Sequence, residues 1–215
     1  MSLEQLIERE CLREEAETAA VPSPHLLRLL SSRRSVAPRH LAEPAPTPRE
    51  LRAIFEAALT GPDHGGLRCW RLVEIPWSMR ETLADLFEAA KLEEHPGASA
   101  EDRHKARAKA FNAPLLLAVL FKPDTGHALV TVEEQLIALG AALQNMLLAT
   151  HAFGYAAMIT SGRKIAAKVL QSAFAKTPGE KLVAFVSIGT PARIPAKRTP
   201  ASIEKHFSIW CGPGY

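Results

Sequence analysis

Residues 114–121 read Pro-Leu-Leu-Leu-Ala-Val-Leu-Phe, an uninterrupted apolar run behind a proline. A strand with one wet face alternates apolar and polar side chains, so a run without alternation predicts a strand covered on both faces. Such a strand needs partners above and below it, and the flanking sequence supplies them. Residues 132–151 place Leu136, Ile137, Leu139, Leu143, Met146, Leu147 and Leu148 on most sides of a helix, which predicts a central buried one. Upstream, Thr47-Pro48-Arg49-Glu50 is a helix start: Thr47 caps, Pro48 suits the first turn, and Glu50 reaches back to complete a capping box. Leu51, Ile54, Phe55, Ala58 and Leu59 follow at helical spacing, and Gly61-Pro62 ends the helix. Cys69–Pro76 alternates and predicts a half-buried strand, with helical stretches at 77–92 and 101–110 between it and the apolar run. Downstream, short strands at Tyr155–Thr160 and Leu182–Ile188 enclose a helix over about 163–175. Four strands interleaved with helices predict an α+β fold, a mixed sheet flanked by helices.

The N-terminal residues form their own segment. Leu3, Leu6, Ile7 and Cys11 share one face of a helical pattern, and Val21-Pro22-Ser23-Pro24 separates it from the rest. The expected organisation is an N-terminal helical extension over 1–22 and one domain over 23–215. Ser23-Pro24 opens a further helix that runs into Ser31-Ser32-Arg33-Arg34.

Composition excludes several functions. Of the 215 residues 47% are apolar, and 26 basic against 23 acidic residues leave a net charge of +3. That balance gives no general attraction to nucleic acid or to a membrane surface, so a basic site here must be local. No apolar run is long enough to span a bilayer. The first residues are charged where a signal peptide would be apolar. Three dispersed cysteines, Cys11, Cys69 and Cys211, fit no zinc ribbon or disulfide scaffold. The expected setting is the cytoplasm. The eight histidines show no HExxH or paired spacing, so no metal site is expected. GxGxxG and GxxxxGK[ST] are both absent, and Gly162-Arg163-Lys164 meets neither spacing.

Two stretches carry chemistry. Arg33-Arg34-Ser35 reads in two ways. Cations in the last turn of a helix complement its dipole; alternatively, two guanidinium forks and a hydroxyl make a phosphate site. Gly61-Pro-Asp-His-Gly-Gly-Leu-Arg-Cys-Trp70 joins the capped helix to the alternating strand, and its glycines allow a ligand close to the backbone. Asp63 and His64 with Cys69 would suit a thiol hydrolase, which predicts sensitivity to alkylation. The plain alternative has Asp63 capping its turn, His64 bonding locally and Cys69 in the core.

Arg33-Arg34-Ser35 and Leu41-Ala42-Glu43-Pro44-Ala45-Pro46 fit the pattern RRSxxxxxLxEPAP, and Gly61 to Trp70 follows APDHGxLRPW with Gly61 for alanine and Cys69 for the usual proline before the tryptophan. With Lys105-Ala106-Arg107, Phe111-Asn112-Ala113-Pro114, Glu134-Gln135, Gly140 to Asn145, Gly154-Tyr155, Ser161-Gly162 and Ile188-Gly189-Thr190-Pro191, this series resembles the nitroreductase family over about residues 25–198. The resemblance implies a homodimer with FMN at the subunit interface, carrying hydride from NAD(P)H to a nitroaromatic, quinone or similar acceptor by ping-pong kinetics. It implies FMN contacts at Arg33, Arg34, Ser35, Thr60, His64, Ile159, Thr160, Ser161 and Arg198, and no catalytic side chain. The segment around His64 often serves the flavin of the other subunit. Where relatives commonly read (M/I)-W-R-(S/T)-G, this chain has Met158-Ile159-Thr160-Ser161-Gly162, and Thr60 stands where some relatives carry arginine. Two basic contacts are thereby lost. That loss motivates an alternative, a flavin- or phosphate-ligand-binding dimer without turnover, acting as a carrier or sensor.

Overall fold

A computed structural model describes residues 23–196 and 201–212, which divide into two units at Ser32/Arg33. The expected helix within 1–22 and the expected contact Arg198 lie outside the described residues. The first unit contributes helix α1 (Pro24–Ser32), with the Leu26 amide donating to Ser23 Oγ at 3.3 Å. All other elements belong to the second.

These are β1 (Leu41–Ala42), α2 (Pro48–Leu59), β2 (Trp70–Glu74), α3 (Arg80–Glu94), α4 (Ala100–Ala108), β3 (Leu115–Phe121), α5 (Val132–Ala152), β4 (Ala156–Thr160), α6 (Lys168–Phe174) and β5 (Lys181–Pro191). Helix α2 starts as its sequence requires. The Thr47 amide donates to Glu50 Oε2 at 2.8 Å, and the Glu50 amide donates to Thr47 Oγ1 at 3.3 Å.

Strand β5 is the centre of the sheet. It pairs with β3 from Leu115↔Ile188 to Phe121↔Lys181, and with β4 from Ala156↔Gly189 to Thr160↔Phe185. Residues 185–188 of β5 engage both neighbours, so β3 and β4 lie on its opposite edges. Past the end of β3, β5 continues to pair with β1, Leu41↔Pro191, while β2 pairs with the outer edge of β3. Every named pairing is antiparallel. The mixed character expected from sequence is confined to one parallel bridge, Ser35↔Ala157.

The apolar run behaves as its composition demands. Leu115, Leu117, Val119 and Phe121 pack with Val186 and Ile188 against Ile54 and Ala58 of α2 and Leu139, Ala142 and Met146 of α5. Leu116, Ala118 and Leu120 point the other way, joining Phe185, Leu83 and Ala84 of α3 and Leu170 of α6. Neither face of β3 meets water.

Helix α5 departs from a fully buried cylinder. Its Ala142 is buried against the end of α2, where a Cβ built on Gly61 would come 2.9 Å from the Ala142 nitrogen. Ala141 and Ala142 thus serve a close approach inside the chain, whereas Gly140 is exposed with nothing within 4 Å of a Cβ built on it. The opposite side carries Leu136 and Ile137 at 46% and 70% exposure.

Candidate functional site

Arg33, Arg34 and Ser35 follow α1 without belonging to it, for the last turn of that helix contains no basic residue. Ser31 and Ser32 donate their hydroxyls to Arg28 and Leu29 carbonyls there. Arg33, Arg34 and Ser35 run beside β4: the Val36 amide donates to the Ala157 carbonyl at 3.3 Å, and Val36 is buried with Leu41, Ala113 and Ala156. Arg33 and Arg34 line a narrow cleft with His151 and Tyr155, and Arg34 Nη1 donates to the Arg33 carbonyl at 2.8 Å. Burial, and then the positive charge of both arginines, holds the His151 imidazole below its ordinary value. A group that lowers a neighbouring imidazole in this way presents a field suited to an anion.

Three residues along β4 from Ala157, about 10 Å at 3.3 Å per residue, Thr160 and Ser161 line a cavity of about 500 Å³. Its floor is apolar, made by Leu116, Phe185, Ile165 and Leu170. Its rim is mostly cationic: Arg39, Lys109, Arg163 and Lys164, with Asn112 and one carboxylate, Glu94, beside them. The Lys109 amine is held down at about 8, first by the neighbouring Lys164 and then by burial. Thr160 Oγ1 donates to the Phe185 carbonyl at 3.5 Å. Ile159, one position earlier, faces the other side of the sheet, and its side chain packs on the α2–α5 core.

Thr60 and His64 lie elsewhere. Thr60 Oγ1 donates to the Ala57 carbonyl at 2.7 Å and accepts from Asn145 Nδ2 at 3.2 Å. The Asp63 carboxylate accepts the Leu67 and Arg68 amides at 3.2 and 2.8 Å, so it caps its own turn. Gly65 and Gly66 hold that turn at φ +74° and +61°, a region that a β-branched residue avoids. His64 Nδ1 lies 3.2 Å from Glu134 Oε1 in the first turn of α5. Thr131 and then His64 keep the Glu134 carboxyl below its usual range. With Asp63 engaged by amides and His64 by Glu134, the Asp63–His64–Cys69 hydrolase arrangement does not form. Among the described residues no cluster of three His, Cys, Asp or Glu side chains could hold a metal.

The expected contacts thus fall into two groups. Glu134, which carries His64, and His151, which adjoins Arg33, are seventeen residues apart on α5. That is about 25 Å of helix at 1.5 Å per residue. Arg39 belongs to the basic cluster of residues 33–40 that the sequence offers for a phosphate, whereas Asn112, Lys109 and Lys164 were missed as site residues. Lys109 lies in a stretch legible only as a basic helix, and Lys164 in a motif tested only against nucleotide loops.

Comparison with known proteins adds to this geometry. Residues 30–190 match the family model described as "Nitroreductase family". The provisionally named NAD(P)H nitroreductase YdjA of Escherichia coli (strain K12) is 33% identical over 167 residues, covering 77% of this chain and 87% of that protein. A provisionally named NAD(P)H nitroreductase of Haemophilus influenzae is 34% identical over 164 residues, covering 76% and 87%. Among solved structures, a nitroreductase-like family protein from Bacillus cereus superposes with a TM-score of 0.74 at 20% identity, covering 90% of this chain and all of that one. A provisionally assigned nitroreductase from Desulfovibrio desulfuricans, solved in complex with FMN, gives a TM-score of 0.65 at 23% identity over 89% of this chain and all of that one. These two likenesses establish a common fold.

Proposed function

Since this chain belongs to the nitroreductase family, we propose that it is an FMN-dependent oxidoreductase. On this reading it passes hydride from NAD(P)H to a nitroaromatic, quinone or similar acceptor. The observation that carries the reading is the cleft of Arg33 and Arg34 beside β4, in a chain whose residues 30–190 match this family. The donor set suits FMN: guanidinium groups and the Ser35 hydroxyl for a phosphate, and an apolar floor for a planar ring. When bound, FMN supplies the hydride chemistry itself.

The chain's own residues bind and orient. Arg33 and Ser35 hold the phosphate, and Arg34 adds to the positive field. Thr160 and Ser161 meet the ring at the cavity wall, where Leu116 and Phe185 exclude water from one side. Donor and acceptor use the same open side in turn, which gives ping-pong kinetics. No side-chain acid or base is required. The test is direct: the purified protein should be yellow and release FMN on denaturation. A colourless protein that does not bind added FMN would overturn the reading.

The homodimer belongs to this proposal. His64 and Arg33 are too far apart along α5 to serve one FMN from the same chain, whereas a second copy can bring its own His64 to the first copy's cleft. Leu136 and Ile137 are exposed on the same helix, and their burial would help hold the copies together. Sedimentation at micromolar concentration should give twice the chain mass of 23.4 kDa. A stable monomer would contradict it.

The loop at His64 gives a second prediction. Valine at position 65 cannot take φ +74° without strain, and the nearest atoms to a Cβ there are at ordinary contact distance. Gly65→Val should therefore distort this exposed loop and abolish turnover while the fold survives. His64→Ala should reduce FMN affinity or kcat without eliminating activity. Wild-type values of both in His64→Ala would make the loop an ordinary surface turn. The carrier or sensor alternative rests on Thr60 and Thr160, which bring hydroxyls in place of charge. NAD(P)H oxidation with a quinone separates it from the enzyme.

A further inference from the structure

We propose that Lys109 and Lys164, paired on the rim of the cavity that Thr160 and Ser161 line, are flavin-binding residues that favour the added negative charge of the reduced ring. This rests on the function proposed above and names cations that neither the RRS motif nor the segment at Ile159-Thr160-Ser161 supplies.

Three observations carry it. Lys109 lies in the 3-10 turn Lys109–Phe111 after α4, and Lys164 in the turn Arg163–Ala166 after β4. The fold brings these two irregular segments together over one cavity, where Lys164 beside Lys109 holds its amine down. Neither amine takes part in an ion pair among the described residues. Around Lys109, Lys164 and Lys91 disfavour its charge and only Glu94 favours it, while Arg39 and Arg163 line the same cavity. Four basic side chains around one carboxylate, Glu94, leave an excess of like charge, and a negative ligand relieves that repulsion.

The cavity also specifies what kind of anion fits. Leu116, Phe185 and Ile165 form a floor with no charge, so the ligand must present an apolar body below and negative charge at the rim. A flavin ring meets both demands, and reduction adds charge that oriented cations stabilise. Thr160, at the place where relatives commonly carry an arginine, has its hydroxyl turned to the Phe185 carbonyl and contributes no charge. Lys109 and Lys164 stand on the same cavity and make up that loss from other parts of the chain.

The experiment compares the full-length dimeric or monomeric protein with the Lys109→Gln/Lys164→Gln variant, reading FMN dissociation constants and the midpoint potential of the bound flavin. Wild type is measured first: if it binds no FMN, the functional reading itself fails and this proposal falls with it. If wild type binds, the double variant should bind reduced FMN at least tenfold more weakly relative to oxidised FMN. For a two-electron couple that is a potential lower by about 30 mV. Adding Thr160→Arg to the double variant should recover the potential, which a merely structural role for the lysines would not allow. Lys164→Gln alone, at an exposed position, should show part of the shift and guards against misfolding of the double variant. An unchanged potential in a folded, FMN-loaded variant overturns the proposal. So does an unchanged potential with a raised KM confined to carboxylate-bearing acceptors, which would assign the lysines to substrate.

Discussion

Replacing Arg80 with alanine is expected to remove about 3–5 kcal/mol of folding stability, a large part of the total for a domain of this kind. Arg80 is 1% exposed, and its guanidinium is held by carbonyls alone: Nε donates to Ile75 at 3.1 Å, Nη1 to Ala110 at 2.7 Å and Nη2 to Pro114 at 3.3 Å. Those carbonyls belong to three segments: the exit of β2, the 3-10 turn after α4 and the entry to β3. Burial pushes the guanidinium below its ordinary value, with Glu74 partly opposing, but an arginine remains charged. Truncation leaves three buried acceptors, each costing about 1–3 kcal/mol when unpaired, and opens a void beside Trp77, over whose ring the guanidinium lies at 5.7 Å. Urea denaturation measures the loss directly. Arg80→Lys should recover only part of it, because an ammonium cannot match the planar fork. A loss below about 1 kcal/mol would mean that water replaces the side chain. Because Ala110 and Pro114 flank Asn112 and follow Lys109, the same substitution should loosen the cavity rim.

Arg33→Ala is expected to weaken FMN binding by about 1.5–3 kcal/mol, the range for a charge-assisted hydrogen bond, or roughly 10- to 150-fold. The cleft predicts a second signature in the unliganded protein. His151 is lowered by burial first and by Arg33 and Arg34 next, so removing one cation should move its titration up towards the ordinary imidazole value. Its depressed pKa means that His151 contributes stability above the unfolded value and loses it as pH falls through the folded one. Arg33→Ala should therefore soften the acid side of the stability profile. Titration of His151 by NMR and fluorescence titration with FMN check the two parts. Unchanged FMN affinity would remove Arg33 from the phosphate site.

The elements were legible where one physical signal dominated. The unbroken apolarity of Leu115–Phe121 required two covered faces, and both cores are there. Thr47 and Glu50 specified the start of α2 to the residue. Helix α5 carries the same Thr-x-x-Glu signature at Thr131 and Glu134, with both bonds formed. Strand β1 was not legible, because two residues give no period and its pairing depends on β5, far along the chain. The segment 163–175 read as one helix, yet Ala167, at φ −55° and ψ 132°, leaves the helical region and separates a 3-10 turn from α6.

The site divides in the same way. Asp63 as a local cap was readable because its partners are four and five residues away. The pairing of His64 with Glu134 spans seventy residues, and the meeting of Lys109 with Lys164 depends on the fold alone. Arg80 looked like any polar residue at a helix start. Only the packing of three segments around it makes it central.

The position of β5 has a consequence for how the protein is made. The strand that joins β1, β3 and β4 is the last of the named strands to be synthesised. Until it leaves the ribosome, β2 and β3 can pair with each other, but the other edge of β3 has no partner and β4 has none of its sheet. A nascent chain lacking residues 181–191 would therefore expose an apolar strand edge to its neighbours on the polysome, the kind of edge that invites association. Completion of the sheet therefore waits for residues 181–191, and a chaperone that shelters Leu115–Phe121 would act during that interval.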